Sequence, residues 1–302
     1  MNRIAVLIAA LTLTATSAFA AEGSFEKTLA VGGAPNVSVA TGSGYVHVYS
    51  GTDGQVHVIG RVHVRAGLFG GDAEAKVKQI VADPPIKQFG NTITIGAEHG
   101  ESSLFHNVSI DYEITAPSGT TLKAESGSGY LEIGGIQGAV TAETGSGGMR
   151  VENIGANARL QTGSGSIYAT NVHGAATLQT GSGNLELELS GAGDVKAQTG
   201  SGSIRISGIN GGLRAEAGSG SIEVAGNPTA EWRLESGSGS VSASVGSAAK
   251  FSLNAETGSG SIHVEQPLLS QDTRNRQHVV GTVNGGGPTL RATTGSGNIA
   301  IR

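Results

Sequence analysis

The tripeptide Gly-Ser-Gly recurs at a nearly fixed interval, and no other feature of the chain limits its fold as strongly. From Gly127 onward, successive copies begin 18, 18, 18, 19, 18, 19, 21 and 37 residues apart. A short unit repeated at a fixed period indicates a stacked architecture, because one such unit cannot bury its apolar face alone. The copies begin at Gly42, Gly127, Gly145, Gly163, Gly181, Gly200, Gly218, Gly237, Gly258 and Gly295.

Each repeat carries a short alternating run on both sides of the triplet. Leu160-Gln161-Thr162 precedes one triplet and Ile204-Arg205-Ile206 follows another. Such alternation predicts strands with one buried face. The residue before the triplet is nearly always Ser or Thr, and the residue before that is nearly always Glu or Gln. Stacked coils bring equivalent residues to about 4.8 Å. We therefore predict an all-β fold, a single-stranded parallel β-helix (β-solenoid) of 18–19-residue coils.

The composition excludes several other classes of protein. Glycine accounts for 50 of 302 residues, and each interior glycine costs a helix about 1 kcal/mol relative to alanine, which argues against a helical bundle. Collagen is excluded because glycine has no strict period of three and only 7 prolines are present. The charged fraction of 14% argues against disorder driven by charge. The chain has no cysteine, so packing and backbone pairing must stabilise it.

Two segments interrupt the repeat. Residues 21–121 are predicted to form N-terminal coils, a hairpin and one short helix, from Asp72 to Val81, that caps the open end of the solenoid. Residues 122–302 are predicted to be the Gly-Ser-Gly repeat solenoid, with a longer loop or projecting hairpin at 267–289. Trp232, the sole tryptophan, falls at an inward position and is predicted to lie in the core.

Residues 1–20 have the pattern of a secretory signal peptide. Arg3 precedes a short apolar stretch, and Ala18-Phe19-Ala20 predicts cleavage after Ala20. We expect a periplasmic, secreted or cell-surface protein with no membrane span in the mature chain. Loss of Arg3 changes the formal net charge from −5 to −6. A chain without basic excess is not expected to bind nucleic acid.

An outward column after each triplet alternates acidic and basic residues over much of its length. Equal spacing predicts that neighbouring coils place unlike charges opposite each other, which would fix the register of the stack. The column consists of Glu132, Arg150, Tyr168, Glu186, Arg205, Glu223, Ser242 and His263.

Three kinds of chemistry have partial support. Calcium-binding coils of this length need Asp in the turn, whereas these turns carry Ser, for which we predict a column of hydrogen bonds between coils. His47, His57 and His63 would form a zinc or copper site if their strands were neighbours; ordinary outward positions are the alternative. The Glu columns could supply paired carboxylates for glycoside hydrolysis, although Glu near Arg, as in Arg214-Ala215-Glu216, is more typical of a solvated face.

The whole pattern resembles a bacterial β-strand-repeat domain of unknown function labelled "putative adhesin". The resemblance covers about residues 28–302 and depends on the signal peptide, the helix with its prolines, the Thr-Gly-Ser-Gly-x-Ile-x-Val units and the Gly285-Gly286-Gly287-Pro288 turn. It implies an exported β-solenoid of the bacterial envelope. It carries over no binding or catalytic residues.

We therefore expect an adhesin-like interaction protein of the cell envelope that presents flat solenoid faces to a glycan or protein and has no catalytic, metal or cofactor site. The alternatives are a carbohydrate-active enzyme, a polysaccharide lyase or hydrolase on a β-helix, and a purely structural envelope protein. The candidate binding face consists of Arg150, Tyr168, Arg205, Arg214 and Arg233.

Overall fold

The computed structural model describes residues 19–65, 73–96, 103–275 and 277–302, and in these the chain forms a β-solenoid with one α-helix. The first strands and the helix are β1 Phe19–Ala30, β2 Asn36–Thr41, β3 Val46–Gly51, β4 Gln55–Arg65, α1 Ala73–Ala82, β5 Ile86–Phe89, β6 Thr92–Ile95 and β7 Val108–Pro117, with a 3-10 turn at Ser103–Phe105 before β7. The predicted all-β solenoid with one short N-terminal helix is confirmed.

The repeat region continues with strands of five to seven residues for most of its length. They are β8 Thr121–Ser126, β9 Leu131–Gly134, β10 Val140–Thr144, β11 Met149–Ile154, β12 Ala158–Thr162, β13 Ile167–Val172, β14 Ala176–Ser182, β15 Leu185–Leu189, β16 Val195–Ser201, β17 Ile204–Ser219, β18 Ile222–Ser238 and β19 Val241–Val245. The C-terminal strands are β20 Phe251–Ser259, β21 Ile262–Val264, β22 Leu268–Asn275, β23 His278–Val283, β24 Thr289–Ser296 and β25 Ile299–Ile301.

Each coil contributes one strand to each of two rows. The triplet row contains the strands that run into the triplets, together with the strands that pair beside them at both ends of the row. In spatial order the triplet row is β5, β6, β2, β8, β10, β12, β14, β16, the ends of β17 and β18, β24, β20, β23 and β22. The return row is β1, β4, β7, β3, β9, β11, β13, β15, the starts of β17 and β18, β19, β25 and β21. In the repeat the pairing is parallel and equivalent residues are partners, as with Thr144 and Thr162.

The inward faces of both rows form one continuous apolar core. Because alternate residues of a strand face opposite sides, each strand gives the core two or three aliphatic side chains. Trp232 is fully buried there and its indole Nε1 donates a hydrogen bond to the carbonyl oxygen of Gly211 at 3.0 Å, as a buried tryptophan requires. The predicted inward position of Trp232 is confirmed.

The glycines of the triplets are required by the close approach of neighbouring coils. A Cβ atom on Gly163 would lie 2.3 Å from the carbonyl oxygen of Gly145, and one on Gly165 would lie 1.9 Å from that of Gly147. Real Cβ atoms essentially never come within 3.0 Å of another heavy atom. The same conflict recurs at the first and third glycines of the triplets along the stack. Gly42 is different, because nothing lies within 4 Å of its Cβ position.

A ladder of buried hydroxyls connects the coils just before the triplets. Thr162 Oγ1 donates to the carbonyl oxygen of Gly147 in the preceding coil at 2.8 Å and accepts from Gly165 N–H in its own turn at 3.1 Å. Equivalent bonds between coils of 2.7 to 3.1 Å start from Ser126, Thr144, Thr180, Thr199, Ser236, Thr257 and Thr294. The hydrogen-bonded column predicted for the serines of the triplets is therefore made by the residues that precede the triplets.

The spatial order of the coils departs from the order of the sequence near both ends. The coil of β2 and β3 lies between β6 with β7 and β8 with β9. At the other end, β24 and β25 lie between β18 with β19 and β20 with β21. As a result Ala300 lies between Ser242 and His263, which follow each other in the outward column of the sequence.

The charge alternation of the outward column is present within the regular stack. Arg150 pairs in register with Glu132, and Arg205 with Glu223. The guanidinium of Arg205 contacts the Glu223 carboxylate at 3.1 Å, whereas that of Arg150 contacts Glu152 of its own strand at 2.6 Å. Exposed pairs of this kind stabilise a protein by only about 0.2–1 kcal/mol each, so they contribute little to the stability of the stack.

Helix α1 covers the N-terminal end of the core. It packs on β1 and β4 and buries Val77 and Ile80. A Cβ on Gly23 of β1 would lie 2.5 Å from Val77 Cγ1, so this glycine lets the helix approach the strand. The described helix begins at Ala73; Asp72, the predicted start, lies outside the described residues.

Two other predictions concern the chain ends and domains. Residues 1–18 of the predicted signal peptide lie outside the described residues, and most of β1 follows the predicted cleavage site.

Residues 267–289 contain the antiparallel strands β22 and β23, of which β23 pairs with β20. The division of the chain into residues 21–121 and 122–302 stays a prediction. None of the helices in the described part of the chain has the length and hydropathy to cross a bilayer.

We predict that Gly163→Ala lowers the free energy of unfolding by about 1 to 3 kcal/mol, the usual cost of forcing an extra methyl into a packed site. Gly42→Ala occupies the same triplet position in a coil where space is open, so it should change stability little or raise it by about 0.4–1 kcal/mol. Urea unfolding followed by circular dichroism measures both. Equal losses in the two variants would contradict the close-approach explanation.

We predict that Thr162→Val lowers the free energy of unfolding by about 1–3 kcal/mol, because it removes a hydroxyl that both donates and accepts while keeping the shape of the side chain. Thr177→Val, at an outward position of the next triplet-row strand, is the control and should change stability by less than about 0.5 kcal/mol. A loss confined to Thr177→Val would show that the hydroxyl ladder does not stabilise the stack.

Candidate functional site

A long groove runs along the outside of the triplet row, across the strands. Its volume is about 1130 Å³ and it extends over seven coils, from Glu125 to Gly237. With about 4.8 Å between strands, its length is roughly 29 Å. Most coils contribute the same three positions, which are the Glu or Gln, the hydroxyl residue of the ladder and the first glycine of the triplet; the first coil lacks the glycine and the sixth has Ala217 in place of the hydroxyl residue. Because the glycines have no side chains, no side-chain wall borders the groove on their side.

The wall of the groove is a continuous row of side-chain amides with carboxylates at both ends. The amides of Gln161 and Gln179 are in hydrogen-bond contact, Gln179 Nε2 donates to Gln198 Oε1 at 2.7 Å, and Gln198 donates to the Glu216 carboxylate. Parallel in-register stacking produces this row directly, since the same residue type occupies the same position in successive coils. Glu125 and Glu143 lie at one end, and Glu216 and Glu235 at the other.

Basic residues on the same strands border the carboxylate ends of the row. Lys123 contacts Glu125 at 2.6 Å, Arg233 contacts Glu235 at 2.7 Å, and Arg214 pairs with Glu216. Burial alone would raise the pKa of Glu216, but the hydrogen bond from Gln198 and the charge of Arg214 outweigh it, so this pKa lies below its ordinary value. The row therefore has carboxyl groups at its ends, three of them paired with basic residues, and amides in its middle.

The structure divides the five candidate residues between the two rows. Arg214 and Arg233 are register partners on the triplet row, at the edge of the groove. Arg150 and Tyr168 are register partners on the return row, and Arg205 lies two coils beyond Tyr168, after Glu186. They do not form one face. That these residues bind a ligand stays a prediction.

The three histidines considered for a metal site lie near carboxylates in separate places. His57 approaches Glu26 at 3.4 Å, and His63 approaches Asp111 at 3.1 Å. His47 is on β3, which is separated from β4 by β7, and approaches Glu132 at 3.5 Å. In the part of the chain that the structure describes, no three His, Asp or Glu side chains converge as metal ligands would.

The sequence contained the signal for the groove, although the groove itself was not predicted. The column of Glu and Gln next to the triplets is visible as a repeat. What the repeat does not show is that the adjoining glycine column leaves a continuous depression beside it.

A comparison with protein families gives one match over about three quarters of the chain. The family model described as Toastrack DUF4097 matches residues 71–302. This confirms the resemblance to a β-strand-repeat domain of unknown function. No curated protein shows significant similarity to the chain.

Solved structures similar to the chain include three with related descriptions. A "putative adhesin" from Bacteroides fragilis is 13% identical, with 93% of this chain and 97% of that chain covered and a TM-score of 0.39. A "putative adhesin" from Parabacteroides distasonis is 14% identical, with 93% and 97% covered and a TM-score of 0.35. A "putative cell adhesion protein" from Clostridium sporogenes is 11% identical, with 92% and 99% covered and a TM-score of 0.19. TM-scores below 0.5 support no argument about fold or function, so the family assignment depends on the sequence match.

We predict that Gln198→Ala raises the pKa of Glu216 towards its ordinary value, because the variant removes a hydrogen bond to the ionised form. A lowered pKa in the folded state means that Glu216 stabilises the protein above its unfolded pKa of about 4.3 and loses this contribution as the pH falls through the folded value. Carboxyl ¹³C titration by NMR measures the shift. Gln161→Ala, three coils away, is the control. A Glu216 midpoint that Gln198→Ala leaves unchanged would contradict the assignment.

Proposed function

The chain belongs to the Toastrack DUF4097 family, and we propose that it is an exported, adhesin-like interaction protein of the cell envelope that binds a linear glycan along the triplet-row groove. The observation that carries this proposal is the continuous Gln and Glu wall over seven coils. The predicted signal peptide at residues 1–20 supports a periplasmic or surface location.

The chemistry of the wall suits a polyhydroxylated polymer. Hydroxyl groups donate and accept hydrogen bonds, and side-chain amides and carboxylates offer the complementary groups in both senses. A groove that repeats its groups at about 4.8 Å along its length offers many weak, equivalent contacts to an extended chain. Carboxylates at both ends, with a mature net charge of −6, argue against a nucleic acid as the occupant.

The electrostatics of the groove favour binding over glycoside hydrolysis. A hydrolase needs a carboxylic acid whose pKa is raised so that it can protonate the leaving oxygen. The pKa of Glu216 is shifted the opposite way by Gln198 and Arg214 despite its burial, and Glu235 on the next coil is paired with Arg233. The shift at Glu216 is opposite to the one that a general acid needs, and Glu235 accepts a hydrogen bond from Arg233 Nε at 2.8 Å.

We predict that the triple variant Gln161→Ala, Gln179→Ala, Gln198→Ala lowers the affinity of the mature chain for an envelope glycan about tenfold or more, because it removes the middle of the wall. The single variant Glu143→Ala should lower it less than about threefold, since the contacts are spread over seven coils. Pull-down and calorimetry against isolated peptidoglycan and soluble linear polysaccharides measure the affinity.

The control is a triple variant on the outer surface of the return row, Glu188→Ala, Glu223→Ala, Ser244→Ala, which should bind like the unchanged protein. New reducing ends or unsaturated products in these incubations would replace the proposal with the carbohydrate-active enzyme. Affinity unaffected by the glutamine triple would show that the groove is not the site. No binding to any envelope glycan would leave a protein partner or a structural role as the better explanation.

A further inference from the structure

Four of the five tyrosines lie together on the outer surface of the return row. The groove, by contrast, lies on the triplet row. Tyr45 immediately precedes β3, which carries His47 and Tyr49 on its outer face. The next coil places Tyr130 beside Tyr45, Glu132 beside His47 and Gly134 beside Tyr49. The two coils after that add Gly148, Arg150 and Glu152, then Ser166, Tyr168 and Thr170. The fifth tyrosine, Tyr112, is buried.

Two of these rings lie across the sheet because a neighbouring glycine leaves room for them. A Cβ on Gly148 would lie 3.2 Å from Tyr130 Cε2, and one on Gly134 would lie 3.0 Å from Tyr49 Cδ1 and Cε1. The rings of Tyr130 and Tyr49 therefore extend over the adjacent strands. Tyr49, Tyr130 and Tyr168 keep 44%, 40% and 43% of their surfaces exposed, so their rings are accessible to a ligand.

The three exposed tyrosines form a triangle around a polar centre. Strand spacings of about 4.8 Å and rises of about 3.3 Å per residue place their Cα atoms roughly 12 to 16 Å apart. Glu132, Arg150 and Glu152 lie between them. Burial, followed by a hydrogen bond to Glu132, raises the pKa of Tyr49 to about 12.

The charged groups of this surface are already paired. Arg150 contacts Glu152 at 2.6 Å, Arg61 contacts Glu113 at 2.8 Å, and His47 approaches Glu132 at 3.5 Å. The surface has no strip of one charge that would attract an ionic ligand. It offers aromatic faces together with planar donor and acceptor groups that can each make two parallel hydrogen bonds.

We propose that this tyrosine triangle, Tyr49, Tyr130 and Tyr168 around Glu132, Arg150 and Glu152, is a second binding site, which takes an uncharged oligosaccharide. A pyranose ring has a C–H face that stacks on an aromatic ring and a hydroxyl edge that suits paired polar groups. The separation of the tyrosines exceeds one ring, so the ligand spans more than one sugar unit. The inference does not rest on the proposed function, because the triangle and the groove lie on different rows.

The test uses the mature chain and two soluble probes, cellotetraose and chitotetraose, with binding followed by ligand-observed saturation-transfer NMR and by shifts of the protein amides. We expect at least one probe to bind, with the strongest saturation on ring C–H protons and the amide shifts confined to β3, β9, β11 and β13 and their adjoining turns. The triple variant Tyr49→Ala, Tyr130→Ala, Tyr168→Ala should lower the affinity about tenfold or more.

Matched variants separate stacking from hydrogen bonding and from damage to the fold. Tyr168→Phe keeps the ring and should stay within about threefold of the unchanged protein, whereas Tyr168→Ala should not. The amide shifts separate this inference from the groove proposal, because binding at the triangle shifts amides of β3, β9, β11 and β13, whereas binding in the groove shifts amides of the triplet row. Thermal melts of each variant report whether it is folded.

Three results would overturn the inference. One is the absence of tetrasaccharide binding at millimolar concentration. Another is binding that the folded tyrosine triple and Tyr168→Ala both retain. The last is an envelope protein that binds this surface and is lost in the tyrosine variants while both probes fail, because the surface would then be a protein-binding site.

Discussion

The structure depends on the approach of a carbonyl oxygen of one coil to the position where the next coil would have a Cβ atom. At Gly163 that distance would be 2.3 Å, and at Gly165 it would be 1.9 Å. Only glycine allows the coils to stack at the spacing of hydrogen-bonded strands at this turn. Once the turn is fixed, the hydroxyl before it is brought to the carbonyl oxygen of the preceding coil, as Thr162 is to Gly147. The turn therefore sets the register for both rows, and the outer residues do not have to.

This freedom explains why the two outer surfaces differ so much in chemistry. On the triplet row, the position two before the triplet has become an amide and carboxylate wall, because stacking multiplies one residue choice into a row. On the return row, the same stacking brings together residues that differ from coil to coil, such as Glu132, Arg150 and Tyr168. A stack whose register is fixed by its backbone tolerates both patterns, since neither contributes much to stability.

The repeat made the strands, the inward columns and the buried place of Trp232 predictable, because period and alternation are local properties of the sequence. The insertion of β24 and β25 between earlier coils was not predictable, since coils with the same triplet can stack on one another in any order.

The grouping of tyrosines was missed for a related reason. Tyr45 and Tyr130 are far apart in sequence and become neighbours only because the excursion through β4, α1 and β7 leaves one side of β3 open for β9. The assignment of Arg214 and Arg233 to the same surface as Arg150 ignored a signal that was present: the first two precede a triplet and the third follows one.

The arrangement of the two proposed surfaces has a mechanical consequence for an adhesin-like protein. The groove and the tyrosine triangle are on different rows of one continuous core, so a single short ligand cannot reach both. The coils are joined by backbone ladders and by buried hydroxyls, which leaves no hinge between the surfaces in the regular stack. Occupation of both would hold two glycan chains at a fixed separation across the solenoid. Linking of this kind raises the overall strength of attachment through effective concentration even when each contact is weak. Under the two proposals, attachment would come from weak, repeated hydrogen bonds in the groove and from a few stacked rings on the other face.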